Sequence, residues 1–548
     1  MAISWKKLKS RNSEITVAIL FFGIFWYFLF LHKALWSSGF HLMDDHNYIE
    51  INHQLNQGKS ILEITQEYIR TDLRDSRFRP LYQLMWVVEI KFLGANYNNH
   101  LLLRIIYLLI SSVLLYYFAR SKSLNFTIPF AIGFVLLIFW GDQLRIYYLF
   151  GSGESRSLFW ATIGFYGLGK AHEAEIKSKK RNFYYFLAYT FCFIASLCKE
   201  SFITFIPAFI AIDVFLYKQQ QQSKNWLEVL YQNWIKLAIV VSLMMCYAVL
   251  LLKYIGTAYG PQDYKKLPLF KVMLERFCEL LATNNYGLAI FFVLFSFLMS
   301  LFVLRAEIKQ PFSKNIVLVL EMLAILISCL LLQVYVYRGY GFGDNRYLIP
   351  STLYISFFSF YIANTYYQTI RNLNIKKTFK FATGGAFIAV WGIALVQMNP
   401  KVNMTAFAAL GKGTKDLFEI MKKYTKDSSP IVVIFDASNH TAPEDIFAIE
   451  RFIKYQYKMN NSLYFQTVLV DSSYYKALDS DLKAYIGGFI NRKKQEHKVL
   501  DTIRTSLKNV LVYDDCDAIF QEKNKQWFDI KKYKKNQARG FTYYTLEK

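Results

Sequence analysis

The chain has 548 residues, of which 54% are hydrophobic and 18% aromatic, which is more apolar side chain than a soluble core of this length buries. Its formal charge of +24 sits mostly in short clusters between apolar blocks and in the C-terminal region, a pattern that membrane orientation and anionic headgroups explain without nucleic acid. Six cysteines (Cys192, Cys198, Cys246, Cys278, Cys329 and Cys516) form no Cys-x-x-Cys pair, so neither a zinc site nor a disulfide framework is indicated.

Lys6, Lys7, Lys9 and Arg11 precede an apolar run over 15–36, too long and too aromatic for a cleaved signal and read here as a retained first span with its basic end in the cytoplasm. A polar stretch over 37–79 follows. The next apolar run, 80–94, contains Glu89 and Lys91; it is too short to cross and is expected to form an amphipathic helix at the interface. Further spans are predicted at about 98–119, 126–147, 157–170, 183–198, 201–217, 234–254, 286–304, 315–337, 347–366 and 378–397, about eleven spans in all. With the N-terminus inside, the inner connections lie around Arg120 and at 177–181, 218–224, 305–314 and 371–377, each short and basic, as the positive-inside rule requires.

An odd number of spans places the chain after about residue 400 outside. Residues 1–397 are therefore expected to form a transmembrane domain with a first outer loop at 37–97, and residues 398–548 a small extracytoplasmic α/β domain. In the latter, strand-like runs at 431–435, 464–470 and 510–513 alternate with helix-like runs at 442–457 and 477–489. There is no Gly-rich phosphate loop and no long internal repeat.

The outer loops hold Asp44, Asp45, Arg70, Arg74, Arg77, Arg79, Lys199, Glu200 and Arg346 close to the membrane edge. Basic residues there oppose the orientation signal, and at a lipid boundary their natural partner is a phosphate, which Arg binds bidentately and Lys as a point charge. Each also has a blander reading: surface charge for Arg70 and Arg74, a local ion pair for Lys199 and Glu200, a snorkelling anchor for Arg346, and a helix cap for the acidic pair. His100 and Arg104 lie near the outer end of the second span and are candidates for the same phosphate site. Glu321, inside a predicted span, is a functional candidate or a paired structural carboxylate.

An acidic pair in the string His41, Leu42, Met43, Asp44, Asp45, His46, just beyond the first span, is followed by Arg77, Phe78, Arg79, Pro80, Leu81 and Tyr82, then by Leu93, Gly94 and His100. Cys198, Lys199, Glu200 and Ser201 with Pro207 come next, and then Asn345, Arg346, Tyr347, Leu348 and Pro350. These four blocks, in this order over roughly 40–350, resemble the GT-C glycosyltransferase superfamily, which includes protein O-mannosyltransferases and lipid A aminoarabinose transferases. Two departures stand out: Asp45 occupies a place where many members have Glu, and 141–157 lacks the His-Pro of several subfamilies.

The resemblance implies an α-helical polytopic membrane enzyme that moves a sugar from a polyprenyl-phosphate carrier to a lipid, glycan or protein acceptor outside the cytoplasm, with inversion. It gives Asp44 the role of general base and Asp45 that of a supporting group or metal ligand. It places Arg77, Arg79, Lys199, Glu200, Arg346 and His100 at the donor phosphate, with a divalent metal as the one cofactor it allows. A bacterial inner membrane is expected, since no retention signal for the endoplasmic reticulum is evident. The competing readings are a lipid-linked glycan ligase or polymerase, which would carry its basic residues and large loop late in the chain, and a transporter or flippase of lipid-linked saccharides, which would show inverted repeats.

Overall fold

In the computed structural model the described residues are 2–255 apart from 33, 43–44, 75–76, 140–143, 176–177 and 222–224, then 271, 274–275, 278, 312–336, 349–372, 401–425, 428–436, 448–468, 508–513, 516–523, 528–538 and 541–547. Asp44, Arg346, the spans expected at 286–304 and 378–397, and the helix expected at 477–489 lie outside them. The chain divides into two compact units: Met1–Leu29, Thr65–Trp86 and Leu101–Asn403 form the first, and Phe30–Ile64, Val87–His100 and Met404–Lys548 the second.

In chain order the helices are α1 (Ala2–His32), α2 (His46–Asn56), α3 (Ile61–Arg74), α4 (Pro80–Leu93), α5 (Tyr97–Ala119), α6 (Ile128–Phe139), α7 (Arg145–Tyr148), α8 (Glu154–Glu173), α9 (Lys179–Cys198), α10 (Phe205–Gln221), α11 (Trp226–Gln232), α12 (Trp234–Ile255), α13 (Phe312–Val336), α14 (Ile349–Asn372), α15 (Lys401–Tyr424) and α16 (Asp517–Lys523). Among the described residues, Ser13–Leu31, Tyr97–Ala119 and Glu200–Gln221 are long and apolar enough to cross a membrane, and α11 with the first part of α12, bent by 74°, makes a fourth if the pair is one span. Large apolar side chains on these helices, among them Val17, Leu20, Phe28, Ile239 and Val249, are more than half exposed, as suits a surface facing lipid rather than water.

In the first unit α1 and α5 run antiparallel. The Trp26 indole donates to Ser112 Oγ at 3.0 Å, the Phe22 and Tyr116 rings meet edge to face, and Arg120 Nη2 donates to Glu14 Oε2 at 3.0 Å, so contacts move up one helix as they move down the other. The hairpin of α8 and α9 is antiparallel in the same way, with Trp160 stacked on Phe191 near one end and His172 edge-on to Tyr185 near the other. Glu321 on α13 accepts from Lys218 Nζ and from the Trp226 indole, each at 2.6 Å, so this carboxylate is a tie between helices. Lys236, Tyr189 and His172 likewise converge on the buried Asp213 of α10.

The second unit contains a five-stranded sheet in the order β2-β1-β3-β5-β4, where β1 is Ile431–Asp436, β2 Leu463–Val468, β3 Asn509–Tyr513, β4 Tyr533–Ala538 and β5 Phe541–Leu546. β1 pairs parallel with β2 and β3; β5 pairs antiparallel with β3 and β4. Both faces of the central strands are buried: Val432, Ile434, Val510 and Val512 pack with Phe520, Phe528 and Tyr544 on one side, while Ile431, Val433 and Leu511 are buried on the other. That is why β1 and β3 read as continuous apolar runs rather than alternating ones. The acidic-loop segment also belongs to this unit. Its residues 38–41 lie against α15, where Ser38 Oγ donates to Ala408 O at 3.0 Å and the His41 ring stacks on Phe407.

At Gly411 of α15 a Cβ would overlap the Gly39 carbonyl oxygen and the Ser38 hydroxyl. Helix propensity alone favours Gly411→Ala by about 1 kcal/mol, whereas overpacking at such a contact costs about 1–3 kcal/mol. The variant should therefore melt at a lower temperature than the parent protein; a higher melting temperature would show that the loop yields at no cost.

Candidate active site

A chain that buries arginine and lysine in an apolar bundle must supply them with counter-charges, because desolvation of an isolated ion costs several kcal/mol. The first unit does so in one place. Arg79, in the link between α3 and α4, donates from Nη2 to Asp72 Oδ1 at 2.6 Å and from Nε to Oδ2 at 3.3 Å, and Gln83 Nε2 donates to the same Oδ2 at 2.6 Å. The backbone N–H of Arg77 donates to Asp72 O at 2.8 Å, which turns the chain between the two partners. Three residues after Arg79, the Tyr82 ring lies 4.9 Å from the guanidinium carbons of both Arg79 and Arg156, and its hydroxyl donates to Gly151 O at 2.7 Å.

The loop that carries Gly151 completes the cluster. Ser152 Oγ donates to Glu154 Oε2 at 2.7 Å, Arg156 Nη1 to Ser152 O at 3.3 Å, and Lys199 Nζ stands 3.3 Å from Glu154 Oε1. Arg104 of α5 donates to Phe150 O at 3.4 Å. Gly153 is where the segments meet: a Cβ there would lie 3.0 Å from Cys198 O and 3.3 Å from the Tyr82 ring. Burial alone would lower the affinity of Arg79 for its proton, but the charges of Asp72 and Glu200 outweigh it and raise the pKa above the ordinary arginine value. Four cations (Arg79, Arg104, Arg156, Lys199) and three carboxylates (Asp72, Glu154, Glu200), none more than 8% exposed, thus share one polar core.

The second unit holds the other expected group. Asp45 precedes α2 and is 2% exposed; its Oδ2 accepts the His41 backbone N–H at 3.0 Å. His46 Nδ1 is 2.9 Å from Leu42 O. Arg451 donates to Asn47 Oδ1 at 2.8 Å and forms an ion pair with Glu50, so α2 is fastened to the segment beyond β1. His100 stands 2.8 Å from Gly94 O through Nε2 and packs edge-on against Tyr48, which makes it part of this unit's packing.

Of the residues expected at a phosphate site, the first unit brings together Arg79, Lys199, Glu200 and Arg104, with Arg77 half-buried. Lys199 pairs with Glu154. Asp45 and His100 lie in the second unit. Arg70 is exposed, in keeping with a surface charge. Asp72, Glu154 and Arg156 were missed, although a Glu and an Arg in the Gly/Ser-rich string 151–156, directly ahead of an apolar block, were signal enough. Among the described residues no group of three His, Cys, Asp or Glu side chains is placed to hold a metal ion.

Removing one partner of a buried pair leaves the other uncompensated, at a cost of about 3–5 kcal/mol. Asp72→Ala should therefore destabilise the protein strongly, while the double replacement of Asp72→Ala with Arg79→Met recovers much of the loss; equal melting temperatures for Asp72→Ala and the parent would show that Arg79 finds another counter-charge. In the second unit, burial pushes His41 down to about 3 from 6.5, and burial with the charge of Arg451 does the same to His46. The unfolded chain then binds more protons between these values, so stability is full above about pH 6.5 and falls as pH drops towards 3. His41→Phe, which keeps a ring against Phe407, should flatten that dependence; an unchanged slope would show that His41 plays no part in it.

No family model and no curated protein matches the chain. Solved structures similar to it include ArnT from Cupriavidus metallidurans bound to undecaprenyl phosphate, at 9% identity and a TM-score of 0.47, over 95% of this chain and 97% of that one. The apo state of that protein is 10% identical, with a TM-score of 0.46 over the same shares. The archaeal oligosaccharyltransferase AglB from Archaeoglobus fulgidus, in complex with an inhibitory peptide and a dolichol-phosphate, is 11% identical with a TM-score of 0.40, over 99% of this chain and 75% of that one.

Proposed function

We propose that the chain is a membrane glycosyltransferase that moves a sugar from a polyprenyl-phosphate carrier to an acceptor hydroxyl on the extracytoplasmic face, with inversion at the anomeric carbon. The observation that carries this reading is the buried cluster around Arg79, which among the described residues holds one formal positive charge in excess of its carboxylates. Apolar side chains of the same volume would pack at least as stably, so stability does not account for the cluster; binding an anion at the lipid boundary does. Arg79, Tyr82, Lys199 and Glu200 of this cluster come from the Arg77–Tyr82 and Cys198–Ser201 blocks that resemble GT-C enzymes.

In the proposed reaction the Asp44 carboxylate takes the proton of the acceptor hydroxyl as its oxygen attacks the anomeric carbon, and the bond from that carbon to the phosphate oxygen breaks. The electron pair leaves with the polyprenyl phosphate, where Arg77, Arg79, Lys199 and Arg346 stabilise the developing charge in a water-poor site. Glu200, beside Arg79, holds that guanidinium in its charged orientation, and His100 supports the start of α5. Asp45 fixes the loop that carries the base. The Glu14 and Arg120 pairing at one end of the α1–α5 couple supports a topology in which the basic N-terminus and the Arg120 turn share the cytoplasmic side, with the acidic loop, the phosphate residues and the C-terminal sheet outside and about eleven spans between.

Membranes containing the protein, supplied with a panel of labelled polyprenyl-phosphate sugars, should pass one label to an endogenous acceptor. Asp44→Asn should insert and fold normally and reduce transfer about 10²–10⁴-fold. Full activity of that variant rejects the base; transfer from a nucleotide sugar but from no lipid-linked one rejects the donor class.

A further inference from the structure

The second unit contains a cleft of ≈ 230 Å³ bordered by the Ser38–Phe40 segment, the start of α5, α15 and the segment after β1. Three features show that it is built rather than left over. Its first wall is the stretch of loop that lies against Gly411, where nothing larger than hydrogen fits. Its second wall is Asn96 to Asn98: the Asn96 carboxamide oxygen accepts the backbone N–H groups of Asn98 and Asn99 at 3.0 and 3.2 Å, which leaves its amide nitrogen as the donor it can offer a ligand.

The third wall departs from regular helix. Phe452–Gln456 is a π-helical turn, in which Tyr457 N donates to Phe452 O at 2.9 Å and Met459 N to Ile453 O at 2.9 Å. Lys458 then adopts the left-handed region with φ of 53°. Both conformations are costly for ordinary residues and concentrate at functional sites. Here they set Gln456 and Tyr457 side by side on the cleft, with the Tyr457 ring held in place by stacking on Phe418 at 5.3 Å. Lys415 contributes a cation at the rim.

We propose that this cleft binds one pyranose ring of the acceptor, a reading that rests on the glycosyltransferase function proposed above. The half-exposed Tyr457 ring matches the C–H face of a sugar ring, Phe40 and Tyr97 add apolar lining, and the amides of Asn96, Asn98 and Gln456 match its rim of hydroxyls. The volume is below the range of about 300–1,000 Å³ that drug-sized ligands fill, so it admits a single ring rather than a length of peptide. Phe40, on the cleft wall, is only four residues from Asp44, a stretch that cannot exceed about 14 Å of extended chain. A ring held here thus lies within a sugar unit or two of the proposed base.

The test uses the full-length protein in a zwitterionic detergent and saturation-transfer NMR with glucose, galactose, mannose and N-acetylglucosamine in turn, and with inorganic phosphate as competitor. At least one hexose should receive saturation on its ring protons, Tyr457→Ala should weaken that binding about tenfold, and Tyr457→Phe should keep it. Gln456→Ala should weaken it without disturbing the fold, as read by an unchanged melting temperature. In the transfer assay Tyr457→Ala should raise the acceptor KM and leave the donor KM unchanged. No hexose binding, hexose binding that is indifferent to both Tyr457→Ala and Gln456→Ala, or displacement by inorganic phosphate alone overturns the cleft as a sugar subsite, whatever the transfer assay gives. Hexose binding without transfer from any polyprenyl-phosphate sugar overturns the enzymatic reading and leaves the cleft standing.

Discussion

Charge burial in an apolar medium governs the first unit. An arginine inside a membrane-type bundle has no means of shedding its cost by losing a proton, since its pKa lies far above any working pH; here the neighbouring carboxylates raise it further. Fixed anions must therefore be brought to it, and the positions of those anions then dictate the path of the chain. Asp72 reaches Arg79 because the backbone turns back at Arg77; Glu154 reaches Lys199 because Gly153 lets the loop approach the end of α9. Tyr82, between two guanidiniums, supplies the polarisable face that lets like charges sit near one another. Three segments far apart in sequence are in this way held by a single electrostatic requirement.

The second unit meets a different demand with weaker forces. The histidines His41 and His46 flank the acidic pair in sequence, and His41 is held by a backbone hydrogen bond to Asp45 and by stacking on Phe407. Asp45 spends its Oδ2 on the His41 N–H, and both histidines are kept neutral by burial. Arg451, whose charge helps to keep His46 neutral, is itself occupied by Glu50 and Asn47.

Much of this was legible in the sequence, for identifiable reasons. Blocks of uniform apolarity gave α5, α10 and α12 within a few residues of the expected limits, α1 begins thirteen residues before the apolar run expected at 15–36, and the β-branched runs at 431 and 510 gave β1 and β3. The short segment at 80–94 was read as an interfacial helix, and the helix is there as Pro80–Leu93; its two halves fall in different units, a division that hydropathy does not encode. β4 was invisible because Tyr533–Ala538 is a polar edge strand, and edge strands carry lysines that break the strand pattern. The antiparallel addition of β4 and β5 to a parallel core likewise leaves no local mark.

The site was legible in Arg79, Lys199 and Glu200 and not in Asp72, Glu154 and Arg156. Arg79 and Lys199 were found because positive charge on the outer side opposes the orientation rule, whereas a carboxylate there breaks no rule and so escaped notice at Asp72 and Glu154. The omission matters for how the cluster works. Arg79 is held by two contacts to Asp72 in a fork geometry, while Lys199 stands 3.3 Å from Glu154. On the proposed function a phosphate entering such a site recruits the lysine at less cost than the arginine, because a flexible ammonium turns to a new anion as a point charge, whereas the guanidinium must give up a bidentate fork. On the proposed function, Arg79 is then the fixed charge that defines where the phosphate sits, and Lys199 the mobile one that follows the leaving group as its charge grows.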